Sequence, residues 1–362
     1  MITDDATAAG RAPKCRRWRV TAAALATTCC TLTLTPAYAA DPDANYFVYV
    51  TNELSNSLSI IDPRIDEVVA TLEIGRRPRG VRVTADGRYV FAALSGSPRC
   101  PPTMPDHQCA LMSADKSLDG IAMIDAESRR LVRVLPGGSD PEQFDISPDG
   151  ARLYVSNEDA DAASIVDVAS SSVLATIAVG REPEGVKVSP DGSVFVVTSE
   201  TDHDIAVADA DTGGLLARVE IGLRPRDVIF SPDGTQAFVS AELGRHVAVV
   251  DARTWTVLER IAISDDALPM GMAVTADSST LYVANGRART VTEVDMKSSA
   301  ASRSVDVGTR PWGIGLSPDE TRIYTANGPS NDVTIVDTSN MSVIGRIAAG
   351  DSPWGVAIGA RP

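Results

Sequence analysis

Residues 180–222 show the pattern that organises the chain. Gly180-Arg-Glu-Pro-Glu-Gly185 leads into the alternating run Val186–Ser189, and Pro190-Asp-Gly192 ends it with residues that favour tight reversal. A second apolar run, Phe195–Thr198, gives way to the polar Ser199–Asp204. Ile205–Asp209 is a third run, Asp211–Gly214 a turn, and Leu215–Ile221 a fourth run. No apolar spacing is helical, so each run predicts a strand and the four together predict one antiparallel sheet.

The unit recurs. A Pro-x-Gly-like step stands at Pro78, Pro141, Pro183, Pro225, Pro269, Pro311 and Pro353, at intervals of 63, 42, 42, 44, 42 and 42 residues. An Asp closing an apolar run falls at Asp62, Asp125, Asp167, Asp209, Asp251, Asp295 and Asp337, with the same six numbers as intervals, the 44 falling one step later. Two markers holding one register, at a period of roughly 40–45 residues, predict propeller blades. The expected fold is all-β: a seven-bladed β-propeller of four-stranded antiparallel blades, a closed circle with only short sheet edges. Tyr46–Thr51 matches a second strand and Trp354–Ile358 a first strand. The ring is therefore expected to close by pairing the N-terminal strands with the C-terminal one.

Residues 1–39 stand outside the repeats. Arg11, Lys14, Arg16, Arg17 and Arg19 precede the apolar and small Val20–Leu34, and Ala37-Tyr-Ala39 offers a small-x-small cleavage site. This predicts a cleaved secretory signal peptide, export to the periplasm, and a mature propeller over residues 40–362. Arg16-Arg17 leaves the twin-arginine route open beside the general one. Without the leader the chain carries 28 basic and 46 acidic residues, a net charge of −18. Such a surface repels nucleic acid and anionic membranes.

The 63-residue interval holds an inserted loop over residues 94–119, between the second and third strands of its blade. It contains Cys100 and Cys109, the only cysteines after the leader. In an oxidising compartment the pair is expected to form a disulfide; a Cys-His-Cys metal set with His107 is the alternative. A long loop in a compact fold is expected to overhang a binding surface.

Loops entering the first strands and loops joining second to third strands emerge on one face of such a propeller. The residues after the repeat prolines should ring one mouth of the central channel: Arg79, Glu142, Glu184, Arg226, Met270, Trp312 and Trp354. The position after each second strand adds Glu53, Glu158, Glu200 and Glu242. Trp312, Trp354 and Arg79 read as an aromatic, cationic sector suited to a planar anion. Glu142, Glu158, Glu184 and Glu200 read as a carboxylate sector suited to a hard cation such as Ca²⁺. The competing reading packs the tryptophans between blades and leaves the glutamates as solvated rim. The repeat aspartates and the Ser-Pro-Asp-Gly sequences at Ser147, Ser189 and Ser231 are turn formers. His203 and His246 read as exposed residues of equivalent turns, aligned with Asn56. No Ser/His/Asp set, phosphate-binding glycine loop or Cys-x-x-Cys-His is present, so no catalytic residue is assigned.

Tyr49-Val-Thr-Asn52, Tyr154-Val-Ser-Asn157, Tyr282-Val-Ala-Asn285 and Tyr324-Thr-Ala-Asn327 resemble the YVTN β-propeller repeats. Asn52–Asn56, Ala93–Pro98, Gly138–Phe144 and Ala326–Asp332 are similar, more narrowly, to the β-propeller proteins associated with catabolism dependent on pyrroloquinoline quinone (PQQ). That resemblance implies an exported, non-catalytic accessory of PQQ-dependent alcohol oxidation, found with a periplasmic PQQ-dependent dehydrogenase or cytochrome c. No cofactor is firmly assigned; PQQ, from the resemblance, and Ca²⁺, from the carboxylate sector, are the candidate ligands. The alternatives are a structural or cell-surface interaction propeller, and a metal-dependent lactonase-like hydrolase.

Overall fold

The computed structural model describes residues 40–362 except 100–103, 105–107 and 109–111. The expected leader and the pair Cys100 and Cys109, with His107, lie outside the described residues. Among the described residues no helix is long and apolar enough to cross a membrane.

Among the described residues twenty-eight strands, β1 to β28 in chain order, form seven four-stranded antiparallel sheets. Six are sequential: β4–β7 (78–135), β8–β11 (141–178), β12–β15 (183–220), β16–β19 (225–262), β20–β23 (269–306) and β24–β27 (311–348). The seventh sets β28 (Pro353–Ala360) beside β1 (Tyr46–Asn52), β2 (Ser57–Asp62) and β3 (Glu67–Glu73). β28 packs between β4 (Pro78–Val83) and β24 (Pro311–Leu316), which closes the circle as the sequence predicts.

Within a blade the strands read differently because their surroundings differ. β13 (Val194–Ser199) is buried along nearly its whole length, whereas the outer strand β11 (Ser172–Ala178) alternates half-buried and exposed residues. The apolar cores lie between blades: Tyr154 and Ile165 pack with Val186, Phe195 and Val197 of the next. The rings of Tyr154 and Phe195 stack at 4.7 Å. The repeat aspartates close turns, as expected: Asp209 Oδ1 accepts from Thr212 N at 2.7 Å and from its hydroxyl at 2.8 Å.

The inner strands carry the feature that matters for function. Each breaks register over the two residues after its proline, as between Pro78 and Val81 or Pro183 and Val186. Such a bulge frees the first of the two to aim at the channel. The second is glycine in five blades, because the next inner strand presses against it. A Cβ on Gly185 would lie 2.5 Å from the Arg226 carbonyl oxygen, and one on Gly355 would lie 2.6 Å from that of Arg79.

A buried hydroxyl on the second strand compensates the lost ladder bonds. Thr51 Oγ1 accepts from Gly355 N at 2.9 Å and donates to the Arg79 carbonyl of the neighbouring blade at 2.5 Å. Thr198 accepts from Gly185 N at 2.8 Å and donates to the Arg226 carbonyl at 3.1 Å. The third letter of the Tyr-Val-Thr-Asn repeat thus ties blade to blade at the mouth. The fourth ties strand to strand: Asn52 Nδ2 donates to Ser57 Oγ at 3.1 Å and to Ser59 Oγ at 2.9 Å.

The histidines depart from expectation. His203 is the true counterpart of Asn56, with φ of 62° against 56°, while His246 opens β18 (His246–Asp251) one position later. Both are half-buried, because backbone carbonyls hold the rings down. His203 Nδ1 lies 2.9 Å from Glu200 O, and His246 Nε2 lies 3.1 Å from Ile221 O.

Candidate functional site

Two backbone devices build the mouth. The bulge turns the residue after each proline inward. The residue before it adopts a left-handed conformation in six blades: Arg77, Asp140, Glu182, Arg224, Arg310 and Ser352 have φ between 43° and 61°. For an L-residue this costs about 1–2 kcal/mol, so these six side chains are held where an unstrained chain would not put them.

Eight of the eleven sequence-predicted mouth residues line one cavity of about 370 Å³: Glu53, Arg79, Glu142, Glu158, Glu184, Arg226, Trp312 and Trp354. Glu200 and Glu242 stand behind its wall as ion-pair partners of Arg226. Met270 lines the channel beneath. The inserted loop reaches the mouth through Pro98 and Arg99.

The feet of that loop are pinned to the mouth. Asp119 accepts from Gly96 N at 2.6 Å and from Asp140 N at 2.9 Å. Lys116 Nζ donates to Ser97 Oγ at 2.6 Å and pairs with Asp159. Arg77 donates to the Ser97 carbonyl at 2.6 Å. Gly96 has no substitute here, since a Cβ would overlap the Asp115 carbonyl.

The expected separation into a cationic and a carboxylate sector does not hold. Arg79 is buried, and pairs with Asp140 at 2.6 Å, with Glu142, and with Glu158 at 3.3 Å. Arg226 pairs with Glu184 at 2.8 Å, with Glu200, and with Glu242 at 3.8 Å. Arg224 bonds Glu200 at 2.7 Å, and Arg77 bonds Glu53 at 2.8 Å. Guanidinium and carboxylate groups therefore interlace around the mouth. Among the described residues, no group of three acidic, His or Cys side chains is arranged to hold a metal ion.

This crowding sets the protonation of two acids. Burial opposes ionisation of Asp140, but Arg79 and the Ser95 hydroxyl outweigh it and hold the carboxyl below its usual range. Glu158 is pushed up to about 7: burial dominates, Arg79 opposes it, and Glu184 and Asp140 add to it.

The aromatic wall does face the cavity. Trp312 and Trp354 lie with ring centroids 6.3 Å apart and planes tilted by 42°. Space for Trp312 comes from Gly328, where a Cβ would sit 2.9 Å from its Cζ3. The Arg310 guanidinium rests over the Trp312 ring at 5.2 Å and forms no ion pair among the described residues. Below the mouth, Asp145 bridges Arg82 at 3.3 Å and Lys187 at 3.2 Å. Asp227 accepts from Val228 N at 2.9 Å and Met272 N at 3.0 Å, and burial raises its pKa.

Sequence reasoning missed Arg77, Asp140, Arg224 and Arg310. Their signal is a charged residue directly before the repeat proline. Arg99, in the inserted loop, carries no repeat signal at all.

The profile of the YNCE-like β-propeller family matches residues 228–361, a little over a third of the chain. No curated protein matches the chain in sequence. Among solved structures, the hydrazine synthase of Kuenenia stuttgartiensis is similar at 22% identity and a TM-score of 0.69, over 83% of this chain and 94% of that one. A Desulfotomaculum acetoxidans protein of unknown function is similar at 19% identity and a TM-score of 0.72, over 87% and 99%. A Bacteroides uniformis protein provisionally assigned as a 6-phosphogluconolactonase is similar at 16% identity and a TM-score of 0.69, over 87% and 99%. At these identities the likeness shows the β-propeller fold and nothing of its chemistry.

Proposed function

We propose that this chain is an exported, non-catalytic binding propeller that serves PQQ-dependent alcohol oxidation from the periplasm through its looped mouth. One observation carries the reading. The two stretches most similar to PQQ-associated propellers, Ala93–Pro98 and Gly138–Phe144, meet there: Ser95 bonds Asp140, which also holds Arg79. The resemblance and the built cavity therefore coincide.

PQQ is a planar tricarboxylate, and the residues fit such a group. Trp312 and Trp354 offer ring faces, while Arg310 and Arg99 offer guanidinium groups at the rim. Ca²⁺ fits less well, since Arg79 and Arg226 already neutralise the carboxylates it would need. A dehydrogenase or cytochrome c would dock on the same face.

Calorimetric titration of residues 40–362 with PQQ, with and without Ca²⁺, tests the reading. Saturable binding should weaken at least tenfold in Arg310→Ala, since a charge-assisted hydrogen bond contributes about 1.5–3 kcal/mol. Absence of heat under both conditions would retire the cofactor and leave a protein partner as the occupant. A lactonase reading draws support only from Glu158, a carboxyl raised to about 7 inside a cavity. Lactone turnover abolished by Glu158→Gln would favour it.

A further inference from the structure

Beside the mouth, and sharing Arg224 and Arg310 with it, lies a second cavity of about 360 Å³. Its walls carry Arg224, Arg287, Arg289 and Arg310, and its apolar floor is made by Leu268 and Met270. Arg287, Arg289 and Arg310 form no ion pair among the described residues. Glu242 is the one acid in the lining, and it is already paired with Arg224 at 3.4 Å.

The cause is one position in the repeat. After the second strand, four blades place Glu53, Glu158, Glu200 or Glu242, each pairing with a nearby arginine. The blade β20–β23 has Gly286 there instead. That glycine deletes the counterion and opens the space above Met270 at once. Arg287 is also out of pattern, and Arg289 stands where only Arg245 matches it. Arg289 holds φ of 62° at a position where Asn56, Asp161, His203 and Asn331 stand in other blades and Arg245 in the preceding one. Asn and Asp tolerate that conformation better than a long side chain does. Arg287 occupies the place of Leu54 and Leu243.

From this geometry we infer that the groove over Gly286 binds a small organic polyanion, carrying two or more carboxylate or phosphate groups on an apolar or flat body. The volume suits one small ligand. Three uncompensated guanidinium groups can each make charge-assisted bonds, bidentate where the anion is planar. The chain as a whole is strongly acidic and repels anions at long range, so the attraction must come from this local set. Arg310 reports the crowding: burial lowers its pKa, and Arg226, Arg99 and Arg224 push the same way against Glu242. Arg310 lines both cavities, so Arg287 and Arg289 are the residues that distinguish this groove from the axial mouth.

The test titrates residues 40–362 with benzene-1,3,5-tricarboxylate, pyrophosphate and, as a monoanion, benzoate. The tricarboxylate or pyrophosphate should bind saturably, more weakly as salt rises, and at least tenfold more tightly than benzoate. Two variants borrow side chains that other blades already accommodate. Arg287→Leu with Arg289→Asn should lose at least tenfold in affinity, and Gly286→Glu, which restores the missing counterion, should abolish binding. Arg99→Ala, in the axial mouth, should cost less affinity than either groove variant. Failure of both polyanions to bind, equal binding by benzoate, or unaltered affinity in the groove variants would overturn the inference. A loss in Arg99→Ala as large as in the groove variants would overturn it too, by moving the site to the mouth.

Discussion

Arg226→Met tests whether the interlaced charges hold the mouth together. The guanidinium meets Glu184 at 2.8 Å, Glu200, and Glu242 at 3.8 Å, and these three side chains are between 7% and 9% exposed. After the substitution Arg224 still covers Glu200 and Glu242, so Glu184 alone is stranded without a cation. Breaking a buried pair by removing one partner costs about 3–5 kcal/mol. At about 2.1 cal/mol/K per residue, over the 323 residues from 40 to 362, that is a drop in Tm of about 4–7 °C. The penalty should also depend on pH. A stranded acid has its folded-state pKa raised above the unfolded value of about 4.3. The folded state then holds the extra proton, so destabilisation is fully present above the raised pKa and fades as pH falls towards the unfolded one. Thermal unfolding at pH 7.5, 6.0 and 4.5 reads both quantities, and adding Glu184→Gln to the variant should restore much of the loss at pH 7.5. A gap under about 1 kcal/mol at pH 7.5, or one that is the same at pH 4.5, would refute the reasoning.

Two further outcomes follow from the same geometry. Thr198→Val keeps the side-chain shape but leaves Gly185 N and the Arg226 carbonyl unpartnered, which should cost about 2–4 kcal/mol in denaturant unfolding; a loss below about 0.5 kcal/mol would mean the hydroxyl does not join the blades. Glu158, raised to about 7, favours the folded state while protonated, and that contribution fades as pH rises from about 4.3 through 7. Because a third of its side chain is exposed, we expect about 1 kcal/mol, seen as a flatter Tm profile for Glu158→Gln between pH 5 and 8. Parallel profiles for the two proteins would contradict the assignment.

The fold was legible because a propeller repeats its own constraints. Seven prolines and seven aspartates mark the same two turns, and five of the seven inner strands carry glycine where they touch neighbouring backbones. The mouth was legible for a related reason: a bulge at a fixed distance from each proline aims the next side chain inward, so position in the repeat gave the ring without any contact information. Charge pairing was another matter. Arg79 reaches Glu142 across 63 residues and Arg226 reaches Glu184 across 42, each between adjacent blades. Grouping residues by type separated what the circle sets side by side. Residues before the prolines were overlooked because a left-handed conformation there is disfavoured in an ordinary chain, and only the assembled blade enforces it. What distinguishes one blade from the next is therefore the departure from the repeat. A glutamate at the end of the second strand makes a neutral, structural mouth; its loss at Gly286 leaves arginines without partners, and at Gly328 it makes room for an indole. Specificity in such a ring arises where a compensating side chain has been withdrawn, and those positions can be read from the sequence once the role of the missing group is known.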